Sequence, residues 1–407
     1  MTNLPQGWEW KSLGEICFIT DGTHKTPNYI ETGIPFLSVK NISKGFFDLS
    51  DVKYISLEEH NKLIKRAKPE FGDILICRIG TLGKAIKISL EFEFSIFVSL
   101  GLLKPKVKII SDYLVYFLNS YFIEGWINDN KVGGGTHTAK LNLNILEKCP
   151  IALPPLKEQE RIVGILDESF AKIDESIKIL EQDLLNLDEL MQSALQKAFN
   201  PLKDNVKENY KLPQSWEWKS LGEIGEIITG TTPSKNNPNF YGNEYPLFKP
   251  SDLNGDIIIK YASDNLSKLG FDNARNLPKD TILVVCIGAS IGKVGLSGVN
   301  GSCNQQINAI IPNSAFTSKY LFFVCLSNYF QTILKKNASQ TTLPIINKTE
   351  FSKLQIPLPP IKEQEQITSH LDELSSHVKN LKQNYQAQIK DLQELKNSLL
   401  DKAFKGN

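Results

Sequence analysis

The sequence predicts an α+β chain in which two pseudo-symmetric globules are joined by two long helices that form an antiparallel coiled coil. Three observations carry this expectation. Two segments return almost letter for letter a little over 200 residues later. β-rich runs lie between them, and two long stretches almost free of glycine and proline have heptad-spaced apolar residues.

The repeats set the frame. Leu4-Pro-Gln-Gly-Trp-Glu-Trp-Lys-Ser-Leu-Gly-Glu15 returns as Leu212-Pro-Gln-Ser-Trp-Glu-Trp-Lys-Ser-Leu-Gly-Glu223. Ile151-Ala-Leu-Pro-Pro-Leu-Lys-Glu-Gln-Glu-Arg-Ile162 returns as Ile356-Pro-Leu-Pro-Pro-Ile-Lys-Glu-Gln-Glu-Gln-Ile367. Two such matches at a near-constant offset are not chance. The blocks between them share an outline and little identity, so the ends are common framework and the middles are where the copies differ in task. The expected boundaries are 1–155 and 201–360 for the globules, with helices at 156–200 and 361–407.

Within the globules, residues 34–39, 73–79 and 85–88, then 245–248, 281–287 and 306–311, are β-rich runs bounded by Gly, Pro, Asn or Ser. Helical apolar spacing follows at 112 to about 128 and at 317 to about 336, with Ser111 and Thr317 as N-caps.

After Pro155 the apolar positions Leu166, Phe170, Ile173, Ile177, Leu180, Leu184, Leu187 and Met191 alternate steps of four and three. After Pro360 the same stepping runs Ile367, Leu371, Leu374, Val378, Leu381, Tyr385, Gln388, Leu392, Leu395 and Leu399. Each helix would be ~65 Å long at ~1.5 Å per residue. No single helix buries such a stripe alone. The second helix starts where the second globule ends, so an antiparallel pair satisfies both linkers.

The composition bounds the class of protein. The 407 residues are 41% hydrophobic and 22% charged, and no apolar run reaches the length of a membrane span. The start lacks the basic and apolar regions of a signal peptide, so a soluble cytoplasmic protein is expected. Net charge is +2 over residues 1–155, −5 over 156–200, +4 over 201–360 and zero over 361–407. The weakly basic globules permit a nucleic-acid partner; the acidic helix does not invite one. Cys17, Cys77, Cys149, Cys286, Cys303 and Cys325 are scattered without a C-x-x-C and read as reduced core residues.

No catalytic motif is complete. Gly288-Ala-Ser-Ile-Gly292-Lys293-Val294 is one residue short of a phosphate-binding loop and has Val where a hydroxyl must meet the metal. Asn237-Pro-Asn-Phe240 lacks the second proline of an amino-methyltransferase loop, and no glycine-rich methyl-donor loop precedes it. Gly133-Gly-Gly135 reads as a flexible loop. The five histidines, His24, His60, His137, His370 and His377, have no metal-ligand spacing, so no metal site is expected.

The middles instead offer polar loops in matching places. Asp21-Gly-Thr-His-Lys-Thr-Pro27 corresponds to Thr229-Gly-Thr-Thr-Pro233 with the following Ser-Lys-Asn-Asn, and Ser38-Val-Lys-Asn41 to Lys249-Pro-Ser-Asp252. Arg78-Ile-Gly-Thr-Leu-Gly-Lys84 corresponds to Cys286-Ile-Gly-Ala-Ser-Ile-Gly-Lys293, and Gly135-Thr-His-Thr138 to Gln340-Thr-Thr342. Hydroxyls, amides and single basic residues on turns can meet phosphates and base edges. Their recurrence at matched positions with different letters suits two readers of two sequences.

These segments resemble the specificity subunits of type I restriction-modification enzymes. The resemblance is carried by the two Leu-Pro-x-x-Trp-Glu openings, Gly22-Thr-His-Lys-Thr-Pro27, Gly33-Ile-Pro-Phe-Leu-Ser-Val-Lys-Asn-Ile42, and Gly72-Asp-Ile-Leu-Ile76 with the turn ending at Gly83-Lys84. The Pro-Pro-Leu/Ile-Lys-Glu-Gln junctions complete it, and it spans essentially the whole chain. One departure stands out: Cys303-Asn-Gln-Gln-Ile307 is similar to a common family element, whereas the first copy has Phe94-Ser-Ile-Phe-Val-Ser99.

The resemblance implies that each globule is a target recognition domain reading one half of a split double-stranded DNA site. It also implies that the helices dock two methyltransferase subunits, to which restriction and translocase subunits add. S-adenosylmethionine and ATP with magnesium would then belong to those partners, with no cofactor and no catalysis on this chain. On this reading Lys84 and Lys293 contact phosphates. His24, Lys25, Lys40, Asn41, Arg78 and Thr138 serve the first half-site, and Thr231, Ser234, Lys235, Asn236, Ser251, Asp252, Ser290 and Thr342 the second. The competing class is a coiled-coil interaction scaffold with two protein-binding globules and no DNA role, which binding to random duplex would separate.

Overall fold

In the computed structural model the described residues are 4–134, 139–199, 212–254, 257–339 and 343–405. Compactness divides the chain into two units, Met1–Leu180 with Gln386–Asn407, and Glu181–Tyr385. The division falls inside the two long helices, Leu156–Ala198 and Ile361–Lys405, rather than at their ends.

In the first unit a four-stranded sheet has the order Cys17–Asp21, Leu100–Pro105, Ile74–Cys77, Ala85–Lys87. A three-stranded sheet has the order Lys53–Ile55, Ile34–Leu37, Ser95–Ile96, and Glu9–Ser12 pairs with Pro150–Leu153. The run Ile74-Leu-Ile-Cys77 is fully buried because its alternate side chains enter two cores. Ile74 and Ile76 join Tyr113, Leu114 and Phe117; Leu75 and Cys77 join Leu37, Ile42 and Phe94.

The second unit repeats the plan. Its five-stranded sheet runs Ile227–Thr229, Ile307–Ile310, Ile282–Val285, Val294–Ser297, Ile258–Ile259. A three-stranded sheet is centred on Tyr241–Phe248, and Glu217–Ser220 pairs with Gln355–Leu358. Ile282 and Val284 face Tyr320 and Phe323, while Leu283 and Val285 face Phe248 and Leu253.

Each expected late helix is two helices. Ser111–Leu118 and Tyr121–Asn130 are parted at Asn119-Ser120, and Ser318–Leu326 and Asn328–Lys336 at Ser327. The serines force the break, since each is extended and its hydroxyl bonds back, Ser120 to the Phe117 carbonyl at 2.7 Å and Ser327 to Val324 at 2.6 Å. Thr317 caps its helix by accepting from the Tyr320 amide. Ser111 does not cap: it lies inside its helix and donates to the Gly72 carbonyl, leaving Ile110 at the N-cap.

In both units the long helices run antiparallel. In the first, Lys396 Nζ meets Asp174 at 2.6 and 2.7 Å, while Leu166 shares a core with Leu400. In the second, Lys382 pairs with Asp188, and Leu195 shares a core with Leu371. Leu166, Ile173, Leu187, Leu371 and Val378 are buried. Phe170, Ile177, Leu180, Leu184, Met191, Leu374, Tyr385, Leu392 and Leu399 are partly buried.

Leu381 and Leu395 are not in the seam. They are 40% and 46% exposed, and Lys382, Ile389 and Lys396 occupy the positions expected for Leu381, Gln388 and Leu395. The lysines serve there because their aliphatic stems cover apolar surface while the ammonium reaches an aspartate. Lys396 also lies over the Phe170 ring at 4.9 Å.

Candidate nucleic-acid interface

Strand register brings the polar loops of each unit together. Cys17–Asp21 and Ile74–Cys77 both pair antiparallel with Leu100–Pro105, Asp21 opposite Gly101 and Cys77 opposite Leu100. The loops leaving Asp21 and Cys77 therefore start at one end of the sheet. The loop after Leu37 joins them: Phe97 N–H donates to the Leu37 carbonyl at 2.9 Å, Val98 N–H to Thr23 at 3.0 Å, and Val39 N–H to Ser99 Oγ at 3.1 Å. In the second unit Thr229 lies opposite Asn308 and Val285 opposite Ile307, and Asn304 N–H donates to the Phe248 carbonyl at 3.0 Å.

One glycine in each unit makes this convergence possible. A Cβ on Gly22 would lie 2.0 Å from the Ile96 carbonyl oxygen, and one on Gly230 would lie 2.2 Å from that of Cys303. Only glycine fits where the loop crosses the neighbouring backbone so closely.

The glycine–lysine turns are hairpin connections, which accounts for the resemblance of the second to a phosphate loop. Gly80 and Gly83 have φ of 76° and 80°, and Gly288 and Gly292 have 94° and 93°, all in the left-handed region. Each turn closes by a strand amide donating to the lysine carbonyl, Cys77 to Lys84 at 2.8 Å and Val285 to Lys293 at 2.9 Å. Lys84 is partly buried with its stem against Gly45, and Lys293 is exposed with Nζ 3.4 Å from the Pro250 carbonyl.

In the first unit Asp21 is the hub. Its side chain is 1% exposed and accepts from Arg66, Arg78 and, at 3.1 Å, His24 Nε2. Burial alone would raise its pKa. Hydrogen bonds from Arg66 and the adjacent Arg78 charge outweigh that and hold the carboxyl below its ordinary range. Arg78 is 10% exposed; besides Asp21 it donates to the Leu141 carbonyl at 2.9 Å and the Val98 carbonyl at 3.2 Å. Arg78, expected to serve the first half-site, has its guanidinium inside the protein, where it ties three segments together.

Asn41, also expected at the first half-site, is turned inward as well. It is 4% exposed, its Oδ1 accepts from the Ser38 amide at 2.9 Å, and its Nδ2 donates to the Asp48 carbonyl at 3.0 Å. Asp252 holds the matching turn, accepting from the Lys249 amide at 2.8 Å and the Ser263 amide at 3.0 Å. The recurrence of these two positions reflects turn chemistry. His24, Lys25 and Lys40 are exposed.

In the second unit Ser234, Lys235, Asn236 and Ser251 are exposed, and Ser290 is partly buried. Thr231 Oγ1 accepts from the Arg275 amide at 3.2 Å, and Ser234 Oγ from the Asn236 amide at 3.3 Å. Lys235 lies 3.9 Å from Asp264, whose carboxyl is held low chiefly by a hydrogen bond from Lys249. Thr138 and Thr342 lie outside the described residues.

Two arginines escaped the sequence reading. Arg66 Nε donates to the Asp21 carbonyl at 3.2 Å, and Arg275 Nη1 to that of Thr229 at 2.6 Å. The available signal was the spacing Arg66-Ala-Lys-Pro69 repeated as Arg275-Asn-Leu-Pro278. Elsewhere, burial pushes the Cys17, Cys77, Cys149, Cys286 and Cys303 thiols up to about 12, outside the range of reactive thiolates. Among the described residues no group of three or more His, Cys, Asp or Glu is placed to hold a metal, and no helix is long and apolar enough to cross a membrane.

Fold and loops together define a class: a duplicated recognition protein, with one loop cluster per module and the modules carried on a helical pair. Residues 5–184 and 213–391 each match the type I restriction modification DNA specificity domain. The chain belongs to that family. It is 25% identical over 428 residues to the StySPI specificity subunit of Salmonella potsdam, covering 99% of this chain and 89% of that one. It is 33% identical over 204 residues to the HindI specificity subunit of Haemophilus influenzae, covering 48% of this chain and 42% of that one. A solved chain described under complex assembly and conformational transition of the type I R-M system shares the fold, with TM-score 0.79, 22% identity and 100% of both chains covered. Two specificity domains in one chain fit recognition of a bipartite DNA site.

Proposed function

We propose that each module reads one half of the bipartite site and that the antiparallel helices carry the methyltransferase subunits, with restriction and translocase subunits joining them. The observation that carries this reading is the pair of loop clusters, built on the same sheet end with the same glycine crossing yet furnished with different side chains. Common framework with divergent tips is what two readers of two half-sites require. The helices support docking because both keep large apolar residues outside their seam. Ile165, Ile179, Leu185 and Leu190 are 48–59% exposed, as are Leu381 and Leu395 at 40% and 46%.

On this reading the chain performs no chemistry itself. The methyl donor and ATP with magnesium bind its partners, and the complex works in the cytoplasm, where the DNA is. Methylome sequencing of the host with and without the gene tests the proposal. A split motif should lose methylation when the gene is deleted, and replacing residues 16–150 with the matching block of another such subunit should change only one half of it. An unchanged methylome, with no binding of the assembled complex to duplex DNA, would favour a protein-binding scaffold.

A further inference from the structure

We propose that Arg66 and Arg275 are a matched pair of DNA phosphate contacts, one per module, that bind independently of base sequence. This inference rests on the DNA-reading function above and adds two cationic residues to its site. The two arginines occupy one structural position. Gly22 and Gly230 are equivalent by their crossings, so the residues before them, Asp21 and Thr229, are equivalent too. Each arginine donates to the backbone carbonyl of that residue, and each is followed three positions later by a proline.

The rest of the surroundings differ. Arg66 leaves a helix-ending turn after Leu57–Leu63 and also pairs with Asp21, whereas Arg275 follows Lys268–Asn273 and makes no ion pair among the described residues. The shared feature is therefore a guanidinium pinned at the loop crossing. Pinning a carbonyl needs only a neutral donor, and the Asp21 carboxylate beside Arg66 is already paired by Arg78, so a clamp alone does not explain the positive charge left over at each crossing. The Arg66 side chain is 54% exposed, and Arg275 is also exposed. Arg275, held through Nη1 against the backbone, and Arg66, held through Nε and Nη2 against Asp21, each present their remaining donors in a fixed plane, which suits phosphate. Because the anchor that the two share is a backbone carbonyl, the guanidinium sits at the same place in both modules whatever bases the loops read. Phosphate contacts of this kind fix register and leave sequence to other side chains.

The test uses the full chain assembled with its methyltransferase subunits and a random-sequence duplex titrated over a series of salt concentrations. Arg66→Gln and Arg275→Gln keep a donor for the carbonyl and remove the charge. Each should lower the salt slope of binding by about 0.9, the double variant by about twice that, with the methylated motif unchanged in sequence. Arg66→Lys should retain the slope, which separates charge from folding. Glutamine variants with the parental slope would make the arginines clamps and overturn the inference, as would a changed base at one half-site with the slope intact. Failure of the parental complex to bind the duplex would instead overturn the DNA-reading function itself.

Discussion

Gln159 accepts a hydrogen bond from the Ile110 amide at 2.9 Å while its own amide donates to the Pro154 carbonyl at 2.9 Å, all from a side chain 1% exposed. Gln364 repeats this with the Thr317 amide at 2.9 Å and the Pro359 carbonyl at 2.8 Å. One carboxamide thus joins the first turn of each long helix to the start of a globule helix, which is why the Pro-Pro-x-Lys-Glu-Gln junction recurs. Leucine at position 364 fills similar space but strands the Thr317 N–H. Gln364→Leu should destabilise the second unit by about 1 to 3 kcal/mol, read from the denaturant midpoint. Gln366→Leu, two residues further on and exposed, should stay within about 0.5 kcal/mol.

The Asp21 cluster makes the first unit sensitive to acid. Its folded-state pKa is depressed, so the stabilisation is fully present above the unfolded value of about 3.9 and is lost as pH falls toward the lower folded value. Asp21→Asn removes the partner of a buried arginine and should cost about 3 to 5 kcal/mol at neutral pH. Its acid-unfolding curve should lack the corresponding limb. A variant as stable as the parent at neutral pH would mean that Arg78 is satisfied by the Leu141 and Val98 carbonyls alone.

How much of this was legible depended on whether the signal was local. Heptads and β runs are periodic, so the helices and the strands Ile74–Cys77 and Ile282–Val285 could be read from spacing. The split at Ser327 was less visible, because a serine in an apolar stretch marks a break only once its hydroxyl is seen to bond back. The role of Arg78 depended on a distant partner, Asp21 being 57 residues away, whereas Asn41 bonds within its own turn, to Ser38 and Asp48, and a polar turn residue reads alike from sequence whether it faces inward or outward. Lys382 and Lys396 were passed over in favour of Leu381 and Leu395 because hydropathy scores a lysine by its charge and ignores its stem.

Two glycines with opposite surroundings give a paired prediction. Gly164 is exposed within the central helix, and a Cβ there would meet nothing within 4 Å. Gly164→Ala should stabilise the chain by roughly 0.5 to 1 kcal/mol. Gly22→Ala should instead force apart the crossing at Ile96. Methylation at one half-site should then become degenerate or fail, with the other half unaffected. Intact methylation of both halves by Gly22→Ala would show that the close crossing is not what holds the first loop cluster in shape.

The helices present a final contrast between residues that hold the fold and residues that face outward. Leu187 is 9% exposed in the seam, whereas Leu185 and Leu190 on the same helix are 59% and 48% exposed. Leu187→Ala removes buried methyl groups and should cost about 2 kcal/mol or more. Leu185→Ala combined with Leu190→Ala removes apolar area that the folded chain leaves in water, so stability should move by no more than about 0.5 kcal/mol per site. If these side chains form part of the surface that carries methyltransferase, the double variant should lose complex in gel filtration while melting like the parent. Loss of both stability and complex would place them in the seam instead. Retention of both would move the docking surface to another face of the helices.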